Sequence, residues 1–278
     1  MPNRLNIPRP IVGILGGLGP AAGIRFAALL TEQTDATHDQ AHLNFLFSSF
    51  ACTPDRSAYL CRLAKSAVSP DADDPYPYLL HGAHALLRAG ARLLVIPCNT
   101  AHAFYPALCR DLPVPILHIV QENAAFLQAN GIRSVGVLAT RGTVASKSYQ
   151  TTLAALGIRC ILPNPAAQIQ VDKLIAAAKA GVFPSRNALA ALCVPLWQKG
   201  AQTVLLACTE LSLGASLPGT LDTMRPLALR TILAAGKPVK NDAWRKTFLH
   251  TVPFRAEGTD GSKEISEIHS QERNPISW

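Results

Sequence analysis

Aromatic residues make up only 6% of this sequence, charged residues only 16%, and methionine occurs twice. The basic surplus gives a formal net charge of +8, yet no Lys/Arg block is interleaved with aromatics. A nucleic-acid surface needs both, so none is expected, and the charge is read as solubility with mild attraction for anionic small molecules. C-x-x-C pairs are missing too. The seven cysteines (52, 61, 98, 109, 160, 193 and 208) are odd in number. That excludes a regular disulfide framework and points to free thiols in a cytoplasmic protein. Long hydrophobic runs are also wanting: residues 11–30 are apolar but broken by Gly16-Gly17, Gly19-Pro20 and Arg25. They read as strand, turn and helix, so neither an export signal nor a membrane partner is expected.

What is present is apolar material, 49% of 278 residues, enough for two modest domains or one large one. Val/Ile/Leu-rich runs recur at 11–15, 43–47, 93–97, 135–139, 158–162 and 203–207, mostly separated by alanine-rich helical stretches. This alternation predicts an α/β fold with buried parallel strands. Two pairs of segments resemble each other. Val12-Gly13-Ile14-Leu15 matches Val135-Gly136-Val137-Leu138. Gly90-Ala91, Leu94-Val95 and Cys98-Asn99-Thr100 match Gly200-Ala201, Val204-Leu205 and Cys208-Thr209-Glu210. In each, the glycine ends a helix and the cysteine falls at the carboxyl end of a strand, where open parallel sheets bind ligands. Two such units facing each other bring both thiols to one cleft.

Opposed thiols suit racemisation, which removes a proton from one face of a carbon and delivers one to the other. A thiol with an ordinary pKa of about 8.5 has both protonation states within reach near neutrality. Stabilising the carbanion then falls to hydrogen bonds on the substrate carboxylate. Asn99, Thr100, Thr143 and Thr209 are donors close to the thiols in sequence, and Glu210 is placed to orient neighbouring groups. The remaining cysteines read as small hydrophobic residues.

The segments GILGGLGP (13–20), PDRSAY (54–59), PCNTAHAF (97–104), GVLATRGT (136–143) and ACTEL (207–211) resemble the aspartate/glutamate racemase superfamily, over residues 11–236. Glutamate racemases typically carry histidine after the second Cys-Thr. Glu210 stands there instead, which favours the aspartate branch. The resemblance implies Cys98 and Cys208 as paired acid and base, with Asn99, Thr100, Thr143 and Thr209 on the α-carboxylate. Arg56 and, with a one-residue gap, Lys179 are implied at the side-chain carboxylate, and Gly17 is counted among the substrate-binding positions. It further implies no cofactor, no metal and a homodimer acting on a small amino acid, most simply a dicarboxylic one.

The expected architecture is two similar three-layer α/β domains about a pseudo-twofold axis, with the active site between them. Residues 1–116 with 222–237 form the first and contribute Cys98. Residues 117–221 form the second and contribute Cys208, and 238–278 form a partly disordered tail. Rival readings are weaker. Gly17-Leu18-Gly19-Pro20-Ala21-Ala22 fits a dinucleotide fingerprint, but Pro20 removes a backbone donor there and no acid ends the next strand. His81 with His84, or His38 with His42, lacks the further ligands of a metal site. A broad-specificity racemase, a related isomerase, lyase or decarboxylase, and a binding protein that kept the fold remain as alternatives.

Overall fold

The computed structural model describes residues 11–65 and 73–240. The first half holds β1 (Val12–Gly16), β2 (Phe45–Ser49), β3 (Leu93–Val95) and β4 (Ile116–Leu117), in the sheet order β2-β1-β3-β4. The second holds β5 (Ser134–Ala139), β6 (Arg159–Ile161), β7 (Thr203–Ala207) and β8 (Thr220–Asp222), in the order β6-β5-β7-β8. All pairings within both sheets are parallel, and the two orders correspond strand for strand. The repeat legible in the sequence is thus a repeat of topology.

Among the described residues ten helices surround the sheets: α1 (Pro20–Gln33), α2 (Arg56–Leu63), α3 (Tyr76–Arg88), α4 (Tyr105–Asp111), α5 (Ile119–Ala129), α6 (Arg141–Ala145), α7 (Ser148–Ala155), α8 (Pro165–Lys179), α9 (Arg186–Gln198) and α10 (Met224–Ala234). Alternate strand residues face opposite ways, and here both faces are covered. Val12 and Ile14 of β1, with Val135 and Val137 of β5, join one central core shared with α1, α5, α7 and α10. Leu15 turns outward to α3 and α4, and Leu138 outward to α8 and α9. Gly13 and Gly136 occupy matching outward positions, where an added methyl would lie 3.3 Å from Leu86 Cβ of α3 and 3.0 Å from Leu196 Cβ of α9. Glycine lets the outer helix sit close to the strand in both halves.

The two helix endings also coincide. Gly90 (φ +110°) and Gly200 (φ +91°) take left-handed conformations that glycine adopts freely. Ala91 N–H then donates to Leu86 O at 3.0 Å, and Ala201 N–H to Leu196 O at 3.1 Å. Edge strands β4 and β8, only two and three residues long, were not among the expected runs, and the second strand begins two residues later than its apolar run. Residues 238–240, expected to open the tail, pair with the end of α1 through Asp35 N–H to Pro238 O and Lys240 N–H to Gln33 O, each 2.9 Å. From residue 241 on, the expected tail lies outside the described residues. Among those described, no helix is long and apolar enough to cross a membrane.

The halves also meet where α2 packs on α6. Gly142 N–H donates to Ser57 Oγ at 2.8 Å, and a methyl on Gly142 would fall 2.5 Å from Ser57 Cα. Backbone cannot move aside as a flexible side chain would. Gly142→Ala is therefore expected to cost about 1–3 kcal/mol and lower the thermal midpoint in calorimetry. An unchanged midpoint would show that this contact is slack.

Candidate active site

Each cysteine follows the strand that the repeat assigns to it. After β3 the chain runs through Pro97 to Cys98 and then a 3₁₀ turn, Thr100–Phe104; after β7, Cys208 leads into a 3₁₀ turn at Thr209–Leu213. His102 braces the first of these. Ile119 N–H donates to its Nε2 at 3.2 Å, so Nδ1 carries the proton and donates to Cys98 O at 2.9 Å. Burial pulls His102 below the ordinary histidine range, consistent with a neutral strut.

Both sulfurs line one cleft, with Leu18, Asp55, Arg56, Ser57, Asn99, Thr100, Thr140, Lys179, Thr209 and Glu210. Cys98 is 7% exposed and Cys208 5%. Eight of the ten expected site positions therefore converge, Glu210 among them. Thr143 sits one layer back: its hydroxyl lies 2.9 Å from Thr100 Oγ1 and 3.0 Å from Thr140 Oγ1, closing a triangle completed by Thr100 and Thr140 at 2.9 Å. Gly17 lies beside the cleft, in a neighbouring cavity. Its φ of +83° and the approach of Phe50 N, 2.3 Å from where a Cβ would be, give it a turn-forming role.

Asn99 is fixed from both ends, accepting from Tyr149 OH at 2.6 Å and donating to Thr223 Oγ1 at 3.1 Å. Arg56 starts α2 behind the cap Asp55, whose carboxylate accepts from Ala58 N–H at 2.8 Å. Its Nη1 donates to the carbonyls of Thr53 (3.1 Å) and Pro54 (2.9 Å), and its Nη2 to that of Leu18. Its Nε has no hydrogen-bond partner among the described residues. Lys179, at the end of α8, meets Asp55 at 3.4 Å across the mouth of the cleft, so this ion pair joins the two halves. Glu210 Oε2 accepts from Cys208 Sγ at 2.9 Å and from Thr209 Oγ1 at 3.3 Å.

A family model described as Asp/Glu/Hydantoin racemase matches residues 15–224, a span that includes both cysteines. The chain belongs to that family. It is 30% identical over 210 residues to the broad specificity amino-acid racemase RacX of Bacillus subtilis (strain 168), covering 73% of this chain and 86% of that protein. Aspartate racemase from Picrophilus torridus superposes with a TM-score of 0.70 and 27% identity, over 88% of this chain and all of that one. A glutamate racemase from Bacillus anthracis shares the fold, with a TM-score of 0.56, 16% identity and coverage of 88% and 86%.

In this member of the Asp/Glu/hydantoin racemase family the two thiols stand in unequal surroundings. Burial pushes Cys98 up, and Arg56 opposes that push; Glu210 raises it further, while the Ala101 amide and Lys179 lower it, leaving a net rise. Cys208 is driven well above the thiol range, first by burial and then by Glu210, through charge and hydrogen bond alike. Lys179 is pulled down by burial, but Asp55, Cys208 and Glu210 outweigh that and its net direction is up, so it stays cationic. Among the described residues no group of three or more His, Cys, Asp or Glu side chains is placed to hold a metal ion. Sequence reasoning missed Thr140, Ser57, Asp55 and Leu18. Of these, Thr140 and Asp55 carried a readable signal, each a helix cap three residues before the amide that its side chain accepts from.

Proposed function

We propose that this protein interconverts the enantiomers of an acidic amino acid, aspartate first, without a cofactor, using Cys98 and Cys208 as paired base and acid. The observation that carries this reading is that the two halves of the repeat each deliver one thiol to the same cleft. Burial raises both thiols, but Cys98, eased by Arg56 and Lys179, is the readier of the two to give up its proton, and Cys208, held by Glu210, the readier to keep it. One sulfur removes the α-proton while the other delivers a proton from the far side, and the roles exchange with substrate handedness. The hydroxyls of Thr100 and Thr140, backed by Thr143, receive the α-carboxylate as it gains enediolate character. The free Nε edge of Arg56 holds the side-chain carboxylate by a charge-assisted bond.

A second reading, broad specificity, is favoured by one feature. Arg56 already spends three donors on backbone carbonyls, and Lys179 is paired with Asp55, which leaves a modest cationic grip. Chiral chromatography of products from aspartate, glutamate, alanine and serine in deuterated water separates the two. The expected result is fastest turnover with aspartate and one deuteron at the α-carbon of the inverted product. Equal rates on all four support the broad reading, and inversion without label rejects exchange-competent thiols.

A further inference from the structure

Glu210 faces two cavities. Its Oε2 meets Cys208 Sγ in the cleft. Its other oxygen, Oε1, is buried with no hydrogen-bond partner among the described residues, and lies 2.1 Å from where a methyl on Gly19 would stand. Gly19 lines the neighbouring cavity with Gly17, Pro20, Ala21 and Ala51, and so does Glu210, whereas neither sulfur is among its lining. Pro20, Ala21 and Ala51 are solvent-exposed, so this second cavity reaches the surface. Leu18, Asp55, Arg56 and Lys179 also line both cavities, and of these shared residues Glu210 is the one hydrogen-bonded to Cys208 Sγ.

We propose that Glu210 is the port through which Cys208 exchanges its proton with water in the second cavity. The inference rests on the two-cysteine reading above. In such a cycle each turnover leaves the proton distribution reversed: the sulfur that took a proton now holds it, and the other has lost its own. Net conversion of one enantiomer cannot continue until both are reset. Both thiols are more than nine-tenths buried, and the Asp55–Lys179 pair stands where the two cavities adjoin, lining both, so a side-chain proton carrier between Cys208 and the second cavity has a use. To discharge Cys208, the Sγ–H bond breaks as a bond to Oε2 forms. The carboxyl group then turns about its Cγ–Cδ bond and gives the proton to water. Recharging the Cys208 thiolate runs these steps in reverse, and the opposite proton change at Cys98 is made with water in the cleft itself once product has left. No electron pair leaves the system and no reagent beyond water is consumed.

Glu210→Gln keeps the shape and removes the proton carrier. Gly19→Ala is the complementary variant, because Gly19 has φ 172° and ψ 109°, extended backbone open to any residue, and its methyl would meet only Glu210 closely. Initial rates of net conversion from a pure enantiomer are measured for wild type, each variant and the double variant, with and without imidazole as a small proton carrier. Loss of a positioned proton carrier is expected to lower kcat about 10-fold or more, while kcat/KM, set when free enzyme has time to reset, changes less than about 3-fold. Imidazole is expected to restore kcat, and the double variant to be no slower than the slower single one. Parallel losses in kcat and kcat/KM without an imidazole response, or an unchanged kcat, overturn the port alone. Absence of racemisation by the wild-type protein overturns the two-cysteine reading and the port together.

Discussion

Replacing Cys98 or Cys208 with serine is expected to reduce racemisation of any substrate by about 10³-fold or more, within the range for loss of a positioned acid or base. Serine is nearly isosteric, and both sites are buried, so the change isolates acidity: a hydroxyl is a far weaker acid than a thiol, and the thiolate is the reactive form. In the proposed two-cysteine cycle one loss suffices to stop inversion, because each cycle needs both sulfurs of the shared cleft. The residual activity is diagnostic. A remaining thiolate still reaches the α-proton on its own side, so each variant is expected to wash solvent deuterium into one enantiomer without inverting it. Cys98→Ser and Cys208→Ser should label opposite enantiomers, read by chiral separation and mass spectrometry. Near wild-type racemisation by either variant removes that residue from the mechanism.

Arg56→Ala is expected to separate substrates. A hydrogen bond to a charged group contributes about 1.5–3 kcal/mol, so the kcat/KM ratio of aspartate to alanine should fall about 10- to 100-fold. Both substrates will also share a common loss. The guanidinium ties the carbonyls of Leu18, Thr53 and Pro54 together, and Leu18 O lies 3.7 Å from Cys98 Sγ. Each buried acceptor stripped of its donor costs about 1–3 kcal/mol, so the melting temperature should drop as well. For that reason the ratio, rather than either rate, reports on the side-chain carboxylate. Equal losses for aspartate and alanine would leave Arg56 a purely structural role.

The repeat was legible because its punctuation is chemical: Gly90 and Gly200 take positive φ, and a cysteine eight residues later follows each strand. Alternating apolar runs gave away six of the eight strands. The pairs β4 and β8 escaped because two or three residues carry no period, and their place depends on the neighbour they dock against. The candidate site divides in the same way. Residues adjacent to the cysteines could be named from the chain, whereas Asp55, Ser57 and Thr140 join them only through packing between α2 and α6. Tyr149 and Thr223 hold Asn99 from 50 and 124 positions away, a distance no local pattern spans. Gly17 belongs to a motif that reads as ligand-binding, and in the fold its backbone makes a turn against Phe50 beside the cleft.

The two halves repeat the same strand order yet part company just after the thiols, with Asn99-Thr100 on one side and Thr209-Glu210 on the other. Mirror-image amino acids have equal free energies in water, so detailed balance obliges the forward and reverse specificity constants to be identical. A lopsided catalyst therefore cannot favour one hand at equilibrium. Under the proposed mechanism the imbalance between the two sulfurs has only one outlet, the way each direction divides its constant between tight capture and fast release.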